Sequence, residues 1–355
     1  MKLNSFKQIQ SGLTLVELLI AVTLSLLLLA GAGQIFFGAN PTYRKSNEEI
    51  RLQDSGRFSV EAISRDVRLA GYQGCADPNL IEPNRMSNVA DTVNPFDEAV
   101  RAFRVDSTGD WSPSRPTDLN SLVSANAPRN NSDVISIQRA SARFSQLAID
   151  MVSATGVVTL ANNNLGLVAN DIVIISDCET VDIFEIGSVT VTTAPQVEVT
   201  FTTNSATPDR NNFSKIYTNN ARVMQLISRT YYTKNNGKTN RSGYAGYSLY
   251  QHESGDTSEL SEGVEFLRVG LSERIAGGGL KVLTDDLSSA DLGNVVGVQI
   301  AMLVQTAERS RNRQDGNSYD LLGSSFSPTD YQSEDLRSRR IFQTVLSIRN
   351  RENRG

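Results

Sequence analysis

The chain has 355 residues, a formal net charge of −5, a single histidine and two cysteines. That length suits one large domain or two ordinary ones, and the charge balance shows neither a basic excess for nucleic acid nor an acidic tail. With His252 alone, histidine-based triads and multi-histidine metal sites are excluded, so no catalytic, metal-ligating or cofactor-binding residue is assigned.

Residues 1–12 are short and polar and carry Lys2 and Lys7, and residues 18–37 contain no charge. A helix of about twenty residues is ~30 Å long, the thickness of a bilayer's hydrocarbon core. Lysines ahead of the span hold its start in the cytoplasm and send the rest across. Glu17 is the anomaly. A carboxylate inside a membrane helix costs roughly 2.5–3.5 kcal/mol on insertion scales, so it needs either a partner or a wet interface. Three plainer readings compete: an ordinary secretory signal ending at Ala30-Gly31-Ala32, an uncleaved anchor, and a buried core helix.

Pro41 is expected to kink the helix or to start a new segment. Between Asn47 and Ala70 the pattern is amphipathic: Val60, Ile63, Val67 and Ala70 recur at helical spacing, with Glu61, Arg65, Asp66 and Arg68 on other faces. Gly56 weakens the middle, and Gly71 is a natural stop. Residues 76–130, rich in Pro, Asn, Asp and Ser, read as long loops. Strand-like runs follow at 133–138, 157–160, 171–176, 181–186, 188–193, 197–202, 223–232, 248–251, 263–271, 295–306 and 341–349. Polar, flexible stretches are expected at 203–214, 234–243 and 307–335. The domain plan is a leader (1–12), a membrane helix (13–40), its amphipathic continuation (41–72) and one β-rich body (73–355).

Other motifs fit no chemistry. Gly277-Gly278-Gly279-Leu280-Lys281 lacks the spacing of a phosphate-binding loop and reads as a flexible turn. Asp285-Asp286 and Asp315-Gly316-Asn317 fit no calcium loop and read as turns or caps. Asp177 reads as a loop residue. Arg337, Arg339, Arg340, Arg349, Arg351 and Arg354 read as a solvated charged face, with docking to another subunit as the sharper alternative. Cys75 and Cys178 are either two buried thiols or, in an oxidising compartment, one disulfide, which the chain-entropy model values at about 4.7 kcal/mol for so long a loop.

The segment Ser11-Gly12-Leu13-Thr14-Leu15-Val16-Glu17-Leu18 resembles the prepilin signal of type IV pilins and type II secretion pseudopilins. Further islands are Asp54-Ser55-Gly56-Arg57-Phe58, Arg65-Asp66-Val67-Arg68-Leu69-Ala70-Gly71-Tyr72-Gln73-Gly74-Cys75, Ser176-Asp177-Cys178, Glu262-Gly263-Val264-Glu265-Phe266-Leu267 and Arg339-Arg340-Ile341-Phe342. Together they resemble the PilW family of minor pilins. The resemblance implies an α+β, type IV pilin-like fold, with a long N-terminal helix packed on an elaborated antiparallel sheet. It implies cleavage by prepilin peptidase between Gly12 and Leu13, and N-methylation of Leu13, where the family usually has Phe. It also implies pairing of Glu17 with a neighbouring subunit's terminal amine. Arg57 and the Arg65-Asp66 pair are either surface ion pairs, worth little individually, or contacts to neighbours in a fibre.

Implied partners are prepilin peptidase, other minor pilins and the major pilin, the assembly machinery, a tip adhesin and the inner membrane. The body is expected to be periplasmic before assembly and at the pilus tip afterwards, in a non-enzymatic role serving twitching motility, adhesion or DNA uptake. A type II secretion pseudopilin and a secreted or anchored β-rich binding protein or enzyme are the alternatives.

Overall fold

The computed structural model describes residues 14–78, 80–86, 89, 98–201, 211–330 and 335–351. Its architecture is α+β. One helix, α1 (Leu15–Leu69), comes first and runs through position 41 without starting a new segment there. It ends where the sequence provides for an end: Ala70 is its C-cap, and Gly71 takes the left-handed conformation with φ of 71°.

The strands follow in chain order as β1 (Asn84–Arg85), β2 (Val100–Val105), β3 (Trp111–Ser112), β4 (Ser132–Ala140), β5 (Ser145–Gln146), β6 (Val158–Leu160), β7 (Ile172–Ser176), β8 (Val181–Val191) and β9 (Val197–Phe201). Then come β10 (Arg222–Thr239), β11 (Ala245–Glu253), β12 (Asp256–Glu262), β13 (Val264–Arg274), β14 (Leu280–Leu283), β15 (Val295–Gln305), β16 (Tyr319–Leu321), β17 (Ser324–Phe326) and β18 (Arg339–Ser347). The large sheet runs β3-β2-β4-β10-β7-β8-β9-β6, with β11 and then β12 continuing from the far half of β10. A four-stranded sheet runs β14-β13-β15-β18, and β16–β17 form a separate hairpin. All these pairings are antiparallel except β1 with β8.

Each run expected to be a strand coincides with one, but 181–186 and 188–193 are a single strand. The register shifts between Ile186 and Ser188, so Gly187 marks a bulge inside β8, not a break. Eight strands lie outside those runs: β1, β2 and β3 in the stretch 76–130 expected as long loops, and β5, β12, β14, β16 and β17. In β2, Arg101 and Arg104 look solvent-exposed in sequence, yet Arg101 is buried against Asp118 and Arg104 bonds Asp133. The sequence of β12, Asp-Thr-Ser-Glu-Leu-Ser-Glu, is almost entirely polar because this strand has a neighbour on one side only. Residues 280–283 form β14, and the glycine run before them is a hairpin turn closed by Ile275 N–H donating to Gly279 O at 3.0 Å. The stretch 234–243 is mostly strand too, since β10 continues to Thr239. Within 307–335 lies the β16–β17 hairpin, while most of 203–214 falls outside the described residues.

The main core joins α1 to both sheets. Leu52, Ile63, Val67 and Ala70 meet Leu267, Val269, Ile300, Met302 and Leu346 of the small sheet and Ile135, Ile137 and Tyr231 of the large one. The chain leaving the helix is pinned at once: Gly71 N–H donates to Gln138 O, and Ala140 N–H to Tyr72 O. A disulfide between Cys75 and Cys178, Cα atoms 4.8 Å apart, ties this exit to the β7–β8 turn. Asp177 beside it accepts from the Thr180 N–H and pairs with Lys215 at 2.6 Å.

Gly56 has a packing role that propensity hides. It is buried, and a Cβ there would run into the Phe342 ring of β18. Glycine lets the aromatic ring lie directly on the helix backbone. Gly56→Ala should therefore cost about 1–3 kcal/mol in chemical unfolding, by overpacking. Phe342→Leu in the same chain should recover part of the loss. Helix propensity alone predicts the opposite sign, a gain of ~1 kcal/mol.

Candidate assembly helix and its anchorage

The two halves of α1 have opposite surroundings. From Leu15 to Leu29 the large apolar side chains are at least 48% exposed. This is the stretch long and apolar enough to cross a membrane, Leu15–Gln34. Thr23 within it is satisfied locally, as lipid demands. Thr23 Oγ1 donates back to the Leu19 and Ile20 carbonyls.

Thr14 and Glu17 form a capping box at the helix start. Glu17 N–H donates to Thr14 Oγ1 at 3.3 Å, and Thr14 N–H donates to Glu17 Oε2 at 3.0 Å. Glu17 thus has a partner within its own chain, which sequence reasoning missed although the Thr-x-x-Glu spacing carries the signal. Gly12 and Leu13 lie outside the described residues.

From Leu52 onward the helix is built into the body, and one carboxylate fixes it. Asp66, expected on an outer face, is fully buried. Its Oδ1 accepts from Arg139 Nε and Nη2 at 3.2 and 3.0 Å. Its Oδ2 accepts from Arg229 Nη1 at 2.8 Å and from the Tyr231 hydroxyl. Arg229 is itself held by Glu253 through Nε and Nη2 at 2.9 and 2.7 Å. The reason lies in the large sheet: Arg139 on β4, and Arg229 and Tyr231 on β10, all aim at this one turn of helix. Burial pushes the Asp66 carboxyl up, but the Tyr231 hydrogen bond and the Arg229 and Arg139 charges more than offset it, so the group titrates below its ordinary 3.8.

Farther up the helix, Glu48 Oε2 accepts from Glu308 N–H at 3.1 Å, and Glu49 lies 3.5 Å from Arg340. The opposite face stays open. Arg57, Glu61, Arg65 and Arg68 line a groove with Phe342, Thr344 and Arg349, beside β18, the last strand of the small sheet.

The arginines expected as one solvated face divide. Arg340 and Arg349 are exposed, and Arg354 lies outside the described residues. Arg337, Arg339 and Arg351 are buried. Arg339 bridges Glu265 at 2.8 Å and Asp335, Arg337 holds Asp335, and Arg351 donates to the Leu292 carbonyl. Asp315, expected in a turn, is also buried, accepting from Arg311 at 2.7 Å and from the Tyr319 hydroxyl at 2.8 Å. Asp286 does cap a short turn, accepting from Ser288 N–H. His252 sits between Ser121 and Thr257 at 3.0 and 2.9 Å, and burial lowers its pKa against a weaker opposing pull from Asp256.

Residues 230–350 match the family model described as Type IV Pilus-assembly protein W, and residues 7–33 match the Prokaryotic N-terminal methylation motif. These are the matches of a PilW-like pilin with a prepilin signal. No curated protein matches the chain. The first match covers most of β10 and every later strand, including the small sheet on which α1 rests; the second covers Gly12, Glu17 and most of the apolar span. The exposed half of the helix fits a membrane anchor, and the other half is tied to the body.

Asp66→Asn keeps the shape but removes the charge that buried Arg139 and partly buried Arg229 face. It should lower unfolding stability by about 3–5 kcal/mol, the range for breaking a buried pair. The pH dependence has a defined sign. A depressed carboxyl stabilises above its unfolded pKa, near 3.8, and that contribution is lost as pH falls through the lower folded value. Unfolding curves between pH 7 and pH 2 should show this acid loss in the wild type, and less of it in Asp66→Asn.

Proposed function

We propose that this pilin is a non-enzymatic minor subunit of a type IV pilus. It is cut after Gly12, methylated on Leu13, held in the inner membrane with its body in the periplasm, and then incorporated at the fibre tip. There it would act with other minor pilins, the major pilin and a tip adhesin in starting assembly, and so serve twitching motility, attachment or DNA uptake. The observation that carries this reading is the division of α1. Its first half offers an unbroken apolar surface with a single carboxylate, Glu17, and its second half is locked into the body at Asp66. An anchor alone needs Glu17 as a helix cap but not as a charge. A subunit that must find a neighbour needs the charge, because a charge in a low dielectric is stable only when partnered.

The body is also large for a subunit repeated along a fibre, whereas a subunit used once at an end has room for it.

Gly12→Ala should leave unprocessed precursor in the inner membrane, detected by amino-terminal sequencing; a mature chain starting at Gly33 would instead reveal ordinary signal cleavage. Glu17 needs two variants, because it both caps the helix and carries the charge. Glu17→Gln retains the capping acceptor and loses the charge; Glu17→Ala loses both. Both should be processed normally, and both should enter pili poorly, counted by immunolabelling. Full incorporation of Glu17→Gln would reduce Glu17 to a cap and refute the pairing role.

A further inference from the structure

Away from the helix, a cavity of about 800 Å³ opens between the 124–131 loop, β10, β11, β13 and the β16–β17 hairpin. Among the described residues its wall carries three cations, Arg129, Lys234 and Arg268, the amides of Asn130, Asn131 and Asn235, several serine hydroxyls, and no carboxylate. Cavities of this size suit a small ligand, and a wall of amides and hydroxyls suits one covered in hydroxyls.

The cations are held in place beforehand. The Arg129 guanidinium lies between two rings, 3.6 Å from the Tyr247 centroid and 3.7 Å from that of Phe266. Its Nη1 donates to the Glu265 carbonyl at 3.1 Å. Arg268 is pinned from behind by Asp133 at 2.7 Å and lies over Phe326, with its buried Nε–H lacking an acceptor. Groups fixed this way lose little entropy when a ligand arrives.

Charge narrows the ligand class. Glu265 and Asp133 stand behind Arg129 and Arg268 and offset part of their charge, each being shared with a second arginine, Arg339 and Arg104. Lys234 has no carboxylate within ion-pair distance among the described residues. Its ammonium reaches Asn126 Oδ1 at 3.2 Å and the Tyr250 ring at 4.3 Å. Burial pushes its pKa down, against a weaker pull from Glu259. One partly desolvated, unpaired cation matches one negative charge, a carboxylate rather than a phosphomonoester carrying ≈ −1.5 to −2.

We propose that this cavity binds a sugar bearing a single carboxylate, of the uronic-acid class, with the carboxylate on Lys234 and the hydroxyls on the surrounding amides.

The test uses the full chain in polyoxyethylene micelles, which contain no sugar, and does not depend on fibre assembly. Glucuronate, glucose, acetate and glucose 6-phosphate are titrated by calorimetry. Glucuronate should bind saturably, and the other three at least tenfold more weakly. Lys234→Met, which keeps the aliphatic stem over Tyr250, should weaken glucuronate binding at least tenfold with an unchanged unfolding midpoint. If that variant unfolds early, Asn131→Gly serves instead: it keeps the left-handed backbone at φ of 57° while removing an exposed amide, and it should weaken binding at least threefold. Absent glucuronate binding in the wild type, acetate or glucose 6-phosphate binding as tightly, or variants that bind like wild type would each overturn the assignment.

Discussion

A carboxylate with no access to water, Asp66, sets the relation between helix and body. Apolar packing between α1 and the sheets is strong but has little directional preference; a helix can roll or slide on such a surface at modest cost. Four hydrogen bonds to one carboxylate are directional, and their donors stand on two different strands of the large sheet. Rotating α1 about its axis, or sliding it by one residue, strands the Asp66 charge and the buried Arg139 guanidinium in a medium that solvates them poorly. The Gly56–Phe342 contact adds a steric limit on the small-sheet side.

The same device recurs where the sheets meet. Asp133, buried on β4, accepts from Arg104 on β2 and Arg268 on β13, and also from the Val269 backbone N–H. Ser132 beside it exchanges hydrogen bonds with Leu267 N–H and C=O. Glu265, Arg339, Asp335 and Arg337 extend a charged chain along one end of the small sheet. Each carboxylate is shared by more than one donor, the condition under which a buried charge is tolerable. The joints between layers are therefore ionic, while the layers themselves are apolar.

This arrangement suits a protein whose helix must serve two solvents. The first half of α1 exposes leucine and valine on every side, which in water alone would be an aggregation surface. The second half is committed to the body by directional bonds and by the disulfide just beyond its end. The exit of the helix is thus held by a covalent link on one side and by Asp66 on the other.

The sequence by itself determined the local features. The charge-free run, the helix stop at Gly71, the α+β class and most strands were legible because they depend on period and on single-residue backbone preferences. The prepilin signal was legible because it is a short contiguous pattern. Only the tertiary structure decided the roles of the charged residues. Arg101, Asp66, Arg339 and Arg351 have the composition of a surface and the location of a core, and they bond to partners on other elements of the chain; Asp315 and Arg337 are buried as well, with close partners within four residues. Gly56 reads as a weak point until the distant Phe342 ring is laid on it. A single chain records which residues can be charged or small; it does not record which distant residue stands opposite, and that opposition fixes whether a charge is solvated or buried.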